Sequence, residues 1–206
     1  MQMRPLPTKL HIGAFNSPFD GWLNTDITSH MFITRVPFAP LLLFKAGRIT
    51  AERFDEHRRG VFKKLRYLDV AKKFPLPSNH FSSVFSSHVL EHIFPTDVPN
   101  LMTSIYRVLR PGGVVRFAVP DLDLYVRGYS KEDPNAMLAG ILENQGRSVK
   151  NRHQWMYTEP SLVALLKEYG FIDVRPCAYK TGKCEDLEVI DNRPENSIYV
   201  EGTKPG

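Results

Sequence analysis

The chain has 206 residues, of which 42% are hydrophobic, 24% charged and 11% aromatic; this is ordinary globular composition and excludes a disordered, collagenous or coiled-coil chain. Its length suits one domain, residues 1–206, burying roughly 70% of the surface that the unfolded chain exposes. Lys and Arg outnumber Asp and Glu by 27 to 22, a net charge of +5 that suits an anionic partner or plain solubility equally well. Cys177 and Cys184 are too few for a disulfide framework and lack a second pair for a zinc site, which fits a reducing compartment. The opening MQMRPLPTKL has no apolar signal region, and VPFAPLLLF, with two prolines, is far short of the about 20 residues a bilayer requires. A cytoplasmic location is therefore expected.

Lys9 to Ile12 reads as a short strand ending at Gly13, and Gly21 to Ile27 as a second ending in an acid, Asp26. Residues 29–66 change character, with an apolar proline-bearing stretch and then AERFDEHRRGVFKKLR, predicting one or two helices broken at Gly60. A third strand is expected over Arg66 to Val70 and a buried fourth over Phe81 to Ser86, with a helical turn from His88 to Phe94. Leu101, Ile105 and Leu109 recur every four residues, predicting a helix from Asp97 to Arg110, capped by Thr96 and stopped by Pro111-Gly112-Gly113. Val114 to Val119 is the clearest strand. A polar stretch of about thirty residues follows Asp121, without an assigned element. Thr158 then caps a helix closed by Gly170, and two strands finish the chain, Ile172 to Tyr179 and Ser197 to Glu201. Strands alternating with helices mean βαβ units, hence a mostly parallel sheet with ligands beyond the carboxyl ends of its strands.

Three loops therefore matter: Gly13 after the first strand, Asp26 after the second, and Ser86-Ser87-His88 after the fourth. An acid at the end of the second strand accepts hydrogen bonds from ribose hydroxyls, and a surface-turn role is the competing reading. GAFNSPFDG fails the G-x-G-x-x-G pattern, and Asp26 comes sooner after it than that motif expects, so NAD and FAD are disfavoured. A ligand carrying an amino-acid carboxylate rather than a pyrophosphate asks less of the loop.

LHIGAFNSPFDGWLNTDI resembles the first signature of class I S-adenosylmethionine-dependent methyltransferases, and the block from FPLPSNHF through HVLEH to RVLRPGGVVRFAVPDL resembles their centre. NRHQWMYTEPSLVALLKEYGF and the closing NRPENSIYVEGTKP are similar to a subgroup associated with polysaccharide biosynthesis. The resemblance implies a Rossmann-like α/β fold, a mostly parallel seven-stranded sheet with helices on both faces, and residues 29–66 as a helical basic insert. It implies S-adenosylmethionine as cofactor, with Gly13 and Ala14 at its methionine part, Asp26 at the ribose and Ile27 on an adenine face. Asp69 would accept from the adenine amino group, with Val70 beside the ring, and Ser86, Ser87 and His88 would form the pocket floor. Phe15 departs from the pattern, standing where these loops usually have a second glycine. Its left-handed backbone would cost on the order of 1–2 kcal/mol, and its ring would either fill cofactor space or face the sulfonium.

Methyl transfer to a hydroxyl needs a positioned nucleophile and a base. His88 and His153 are the candidate bases and Asp121 the group that orients the acceptor, expected to be a small polar molecule such as a sugar hydroxyl of a glycan precursor. The competing roles are a helix-start hydrogen bond for His88 and a solvent-facing loop position for His153. No metal is expected. Two other classes compete with this assignment: a catalytically silent scaffold blocked by Phe15, and a zinc hydrolase using His88, Glu91 and His92 of the H-x-x-E-H string, with Glu168 as third ligand. Residues 45–73 hold ten basic and four acidic residues, net +6. With VPFAPLLLF they read either as a patch for an anionic glycan intermediate or lipid head group, hence peripheral membrane contact through 36–66, or as a solvated helix packed on the sheet. Nucleic acid is disfavoured, because few aromatic residues are interleaved with the charges.

Overall fold

The computed structural model describes residues 5–142 and 152–206. The extreme N-terminus and the ENQGRSVKN part of the polar stretch lie outside the described residues. The chain falls into two compact units, Met1–Asp69 and Val70–Gly206.

In the first unit, β1 (Lys9–Ile12), β2 (Leu23–Asp26) and β3 (Leu65–Tyr67) are parallel, in the order β3-β2-β1. β2 and β3 are shorter than the sequence predicts, because Gly21 turns with φ 78° before β2 and the chain leaves the sheet after Tyr67. Ala14, Met31, Phe62 and Leu65 form one apolar cluster. His11 is buried too, and its Nδ1 lies 3.2 Å from Asn24 Oδ1, an oxygen that also accepts from Phe19 N at 2.8 Å. The insert is more broken than expected: α1 (His30–Ile33), α2 (Ala39–Lys45), α3 (Ala51–Arg58) and a 3-10 turn, Val61–Lys64, introduced by Gly60 at φ 74°. Thr50 caps α3 by accepting from Arg53 N. Neither α2 nor α3 packs an apolar stripe as the solvated-helix reading requires. α2 buries no residue, with Phe38 76% and Leu42 63% exposed, whereas α3 buries Glu56 and His57.

In the second unit, β4 (Phe81–Ser87) is parallel to β5 (Leu109–Pro120), while β7 (Ser197–Thr203) is antiparallel to both β5 and β6 (Ile172–Cys177), giving β4-β5-β7-β6. The seven strands, mostly parallel and alternating with helices, make the expected Rossmann-like α/β class. α4 (Val98–Val108) buries Leu101, Met102 and Ile105, as its periodicity predicts. Its N-cap is Asp97 rather than Thr96, and it ends before Arg110 because Leu109 is already extended. Pro111-Gly112-Gly113 thus lies inside β5, where the pairing with β4 shifts register. A Cβ at Gly113 would sit 2.8 Å from Arg110 O and 2.9 Å from Phe81 O, so only glycine fits there. The polar stretch after Asp121 contains α5 (Leu122–Arg127) and α6 (Pro134–Leu142), neither with a buried residue and neither predicted. α7 (Glu159–Glu168) has the predicted Thr158 cap, completed by Ser161 into a capping box, and the chain turns away at Gly170 with φ 84°. A short α8 (Leu187–Ile190) was not foreseen.

Arg116, fully buried in β5, ties this unit together. Its guanidinium donates to both Asp191 oxygens, to Glu201 Oε1 on β7 at 2.9 Å, and to the carbonyls of Ala178 and Thr181. The Tyr199 ring lies 4.7 Å from it.

Arg116→Leu should lower unfolding free energy by about 3–5 kcal/mol, since it strands two buried carboxylates; chemical denaturation measures this. Burial holds the His11 imidazole down at about 4, against an ordinary 6.5. The unfolded state then binds the proton more tightly, so stability should fall as pH drops from 6.5 towards 4, by about 3 kcal/mol for this residue. A pH series of melts should show a shallower decline in His11→Gln.

Candidate active site

The loop after β1 is built on Asp26. Gly13 N and Ala14 N both donate to Thr25 O at 2.9 Å, folding the chain back over the end of β2. Phe15 N donates to Asp26 Oδ2 at 3.0 Å, and Thr28 N to Asp26 Oδ1 at 2.7 Å. A carboxylate offers about four lone-pair positions, so these two bonds fix its orientation and leave two for a ligand's hydroxyls. Gly13 has φ 74° and Phe15 φ 37°, the left-handed backbone anticipated for Phe15. Ile27 follows Asp26 with 53% of its surface exposed.

The Phe15 ring lies 4.4 Å from the Arg53 guanidinium, with Phe62 and His30 also beside it. A cation does lie at this ring, the Arg53 guanidinium of α3. Arg53 pairs with Glu56, which accepts from Asn16 Nδ2 at 2.8 Å, and His30 Nδ1 meets His57 Nε2 at 3.0 Å. The insert therefore fastens the first loop through polar contacts. Asp69 does not close a strand. It lies two residues beyond β3, after Leu68 N has bonded Asp26 O at 3.1 Å, and Val70 begins the second unit.

In the second unit the ends of β4, β5 and β7 gather the remaining candidates. Ser86 is buried and Ser87 half-buried at the end of β4. His88 turns left-handed, φ 52°, with its N–H on Ala118 O and its Nε2 2.8 Å from Ser197 Oγ. Burial, then the neighbouring Arg193, His153 and His92, hold its ring down at about 4, so it is neutral at pH 7. Asp121 caps α5 by accepting from Asp123 N, with Arg127 Nη2 3.7 Å away, so its carboxylate organises the helix start. His153 is not a solvent-facing loop residue: it is buried, and its Nδ1 lies 2.8 Å from Ile141 O.

Glu91 explains this. Its main-chain oxygen accepts from Gln154 N at 2.7 Å and Trp155 N at 3.2 Å, docking the HQWMY segment on the turn after β4. Its side chain is fully buried, with His88 Nδ1 3.5 Å from Oε1. Burial, reinforced by the charge of Glu91, pushes the Tyr157 hydroxyl up to about 12. The H-x-x-E-H string does not form the helix of a zinc peptidase, because Leu90–His92 is a 3-10 turn entered from a left-handed His88. Glu168 instead lines a shallow groove of about 340 Å³ with Trp155, Tyr157 and Ser161. Of the residues gathered here, the sequence singles out His92 only within the H-x-x-E-H string, and Trp155, Tyr157 and Ser197 not at all.

Residues 29–175 match the methyltransferase domain family, and the chain belongs to it. The match begins after the Gly13–Asp26 loop. An uncharacterized methyltransferase of Synechocystis sp. is 26% identical over 127 residues, covering 62% of this chain and 55% of that protein. The chain thus spans about half the length of this curated relative. Among solved structures, an S-adenosylmethionine-dependent methyltransferase from Archaeoglobus fulgidus has 15% identity and TM-score 0.53, covering 97% of this chain and 86% of that one. Phosphoethanolamine N-methyltransferase 2 of Haemonchus contortus, in complex with S-adenosyl-L-methionine, has 16% identity and TM-score 0.52, covering 100% and 50%. Both likenesses establish the fold. No described helix is long and apolar enough to cross a membrane.

Proposed function

We propose that the protein transfers a methyl group from S-adenosylmethionine to a hydroxyl of a small polar acceptor, a sugar of a glycan precursor. Membership of the methyltransferase domain family supports the reaction class. The observation that carries the cofactor is Asp26, whose two backbone contacts leave acceptor positions for a ribose. Gly13, Ala14 and Phe15 shape the loop at the methionine part, and Ile27, Asp69 and Val70 serve the adenine. Ser86, Ser87 and His88 floor the methyl-donor end. When bound, the cofactor supplies a methyl group activated by a positively charged sulfur.

Ionising the acceptor falls to His153. Its Nδ1 faces a carbonyl, which accepts only, so Nδ1 carries the proton and Nε2 the lone pair. Nε2 would take the proton of the acceptor hydroxyl as its oxygen receives the methyl group that the cofactor would supply. His88 and Asp121 position the segments around it. The groove supports a sugar: Trp155 exposes 55% of its surface there, an apolar ring face beside Ser161 and Glu168. The silent-scaffold and hydrolase readings lose ground to the family membership.

Calorimetric titration should show S-adenosylmethionine binding at micromolar affinity, about −8 kcal/mol, and Asp26→Ala should weaken it at least tenfold while the protein stays folded. Absence of binding to folded wild-type protein would refute the reading, and gained affinity in Phe15→Gly would restore the scaffold alternative. Trp155→Ala should raise KM for a sugar acceptor several-fold with cofactor affinity intact; an unchanged KM would remove the groove as acceptor site.

A further inference from the structure

Glu91, His92 and His153 each offer a ligand atom, and these three atoms lie within 4.8 Å of one another. The sequence conceals the group, since His153 is some sixty residues beyond the other two and is brought to them by contacts such as those to the Glu91 main-chain oxygen. We propose that these three side chains bind one divalent first-row transition cation, whose remaining coordination positions take oxygen atoms of the methyl acceptor. This rests on the methyltransferase reading and deepens it, because the cation would then replace His153 as the means of ionising the hydroxyl.

Two independent features point the same way. The first is the donor set: two imidazoles and one carboxylate hold zinc, manganese or iron in many proteins and leave open positions, whereas calcium and magnesium prefer oxygen alone. The second is the orientation of the rings. His92 Nδ1 lies 3.2 Å from Arg152 O and His153 Nδ1 2.8 Å from Ile141 O. Both contacts place the proton on Nδ1 and the lone pair on Nε2, the arrangement by which outer carbonyls set metal-binding histidines. The ring centroids are 4.9 Å apart at 64°, edge to face rather than stacked. Bonds of about 2.1 Å put tetrahedral donors about 3.4 Å apart, so inward shifts of about 1 Å complete the site.

Burial adds a reason for a cation. Glu91 is 0% exposed and His153 8% exposed. Withdrawn from bulk water, the bonds of these donors to a cation are screened less than at the surface. The site differs from the peptidase reading in ligands and geometry: His88 is turned to Ser197, and His153 takes the third position.

The test is calorimetric titration of tag-free, chelator-treated protein with zinc chloride and with manganese chloride, beside the S-adenosylmethionine titration. One equivalent of either cation should bind the wild type, and His92→Ala and His153→Ala should each weaken it at least tenfold. Glu91→Gln should do the same, and His153→Asn serves if the buried Glu91 variant fails to fold, as judged by circular dichroism. No cation binding to the folded wild type, or equal binding in the folded histidine variants, would overturn the site. Cation failure with intact cofactor binding rejects the metal alone, while cofactor failure with intact cation binding rejects the methyltransferase reading alone.

Discussion

A guanidinium placed where no water reaches it governs the second unit. Arg116 sits in mid-strand on β5, fully buried, and such a charge is tolerable only with opposite charge and full hydrogen bonding. Asp191 and Glu201 supply the charge, and two carbonyls take the remaining donors. Desolvation opposes the arrangement, but these partners raise the Arg116 pKa further. The demand fixes geometry well beyond β5. Glu201 is the residue directly opposite in the ladder, so the ion pair pins the β5–β7 register, and the same carboxylate also accepts from Lys183 N and Cys184 N. The segment between β6 and β7 is thereby wrapped onto the sheet.

That register has chemical consequences at the other end of the strands. Fixing Arg116 against Glu201 sets Pro120 opposite Ser197, and Ser197 Oγ meets His88 Nε2. His88 leads into the Leu90–His92 turn, whose Glu91 carbonyl docks residues 154 and 155. One buried ion pair thus positions, through a ladder and two hydrogen bonds, the segment that carries His92 and His153. In the first unit a smaller version of the same logic operates, with Asp26 holding the loop that begins at Gly13.

The sequence makes legible those elements whose signal is local. β5 is evident from an unbroken buried run, α4 from its four-residue period, and the ends of α7 from Thr158 and Gly170. α5 and α6 escape because they bury nothing, so no periodic face marks them. Asp26 is readable as a strand-end acid, yet its bond to Phe15 N depends on a turn that a glycine-based pattern argues against. The neighbourhood of His92 and His153 is invisible for a plainer reason. It depends on a main-chain carbonyl far away in sequence, and no residue type announces such a contact.

The partners of Arg116 have a further meaning in time. Asp191 and Glu201 follow it by 75 and 85 residues, and β7 must lie between β5 and β6. A chain emerging from the ribosome exposes β5 with its cation unmatched until 75 to 85 further residues have been made. The second unit therefore has no stable native intermediate ending at β6, since the strand that joins β6 to β5 follows β6 in the chain. Its folding is committed by long-range closure rather than by stepwise growth, a topology that trades speed for cooperativity.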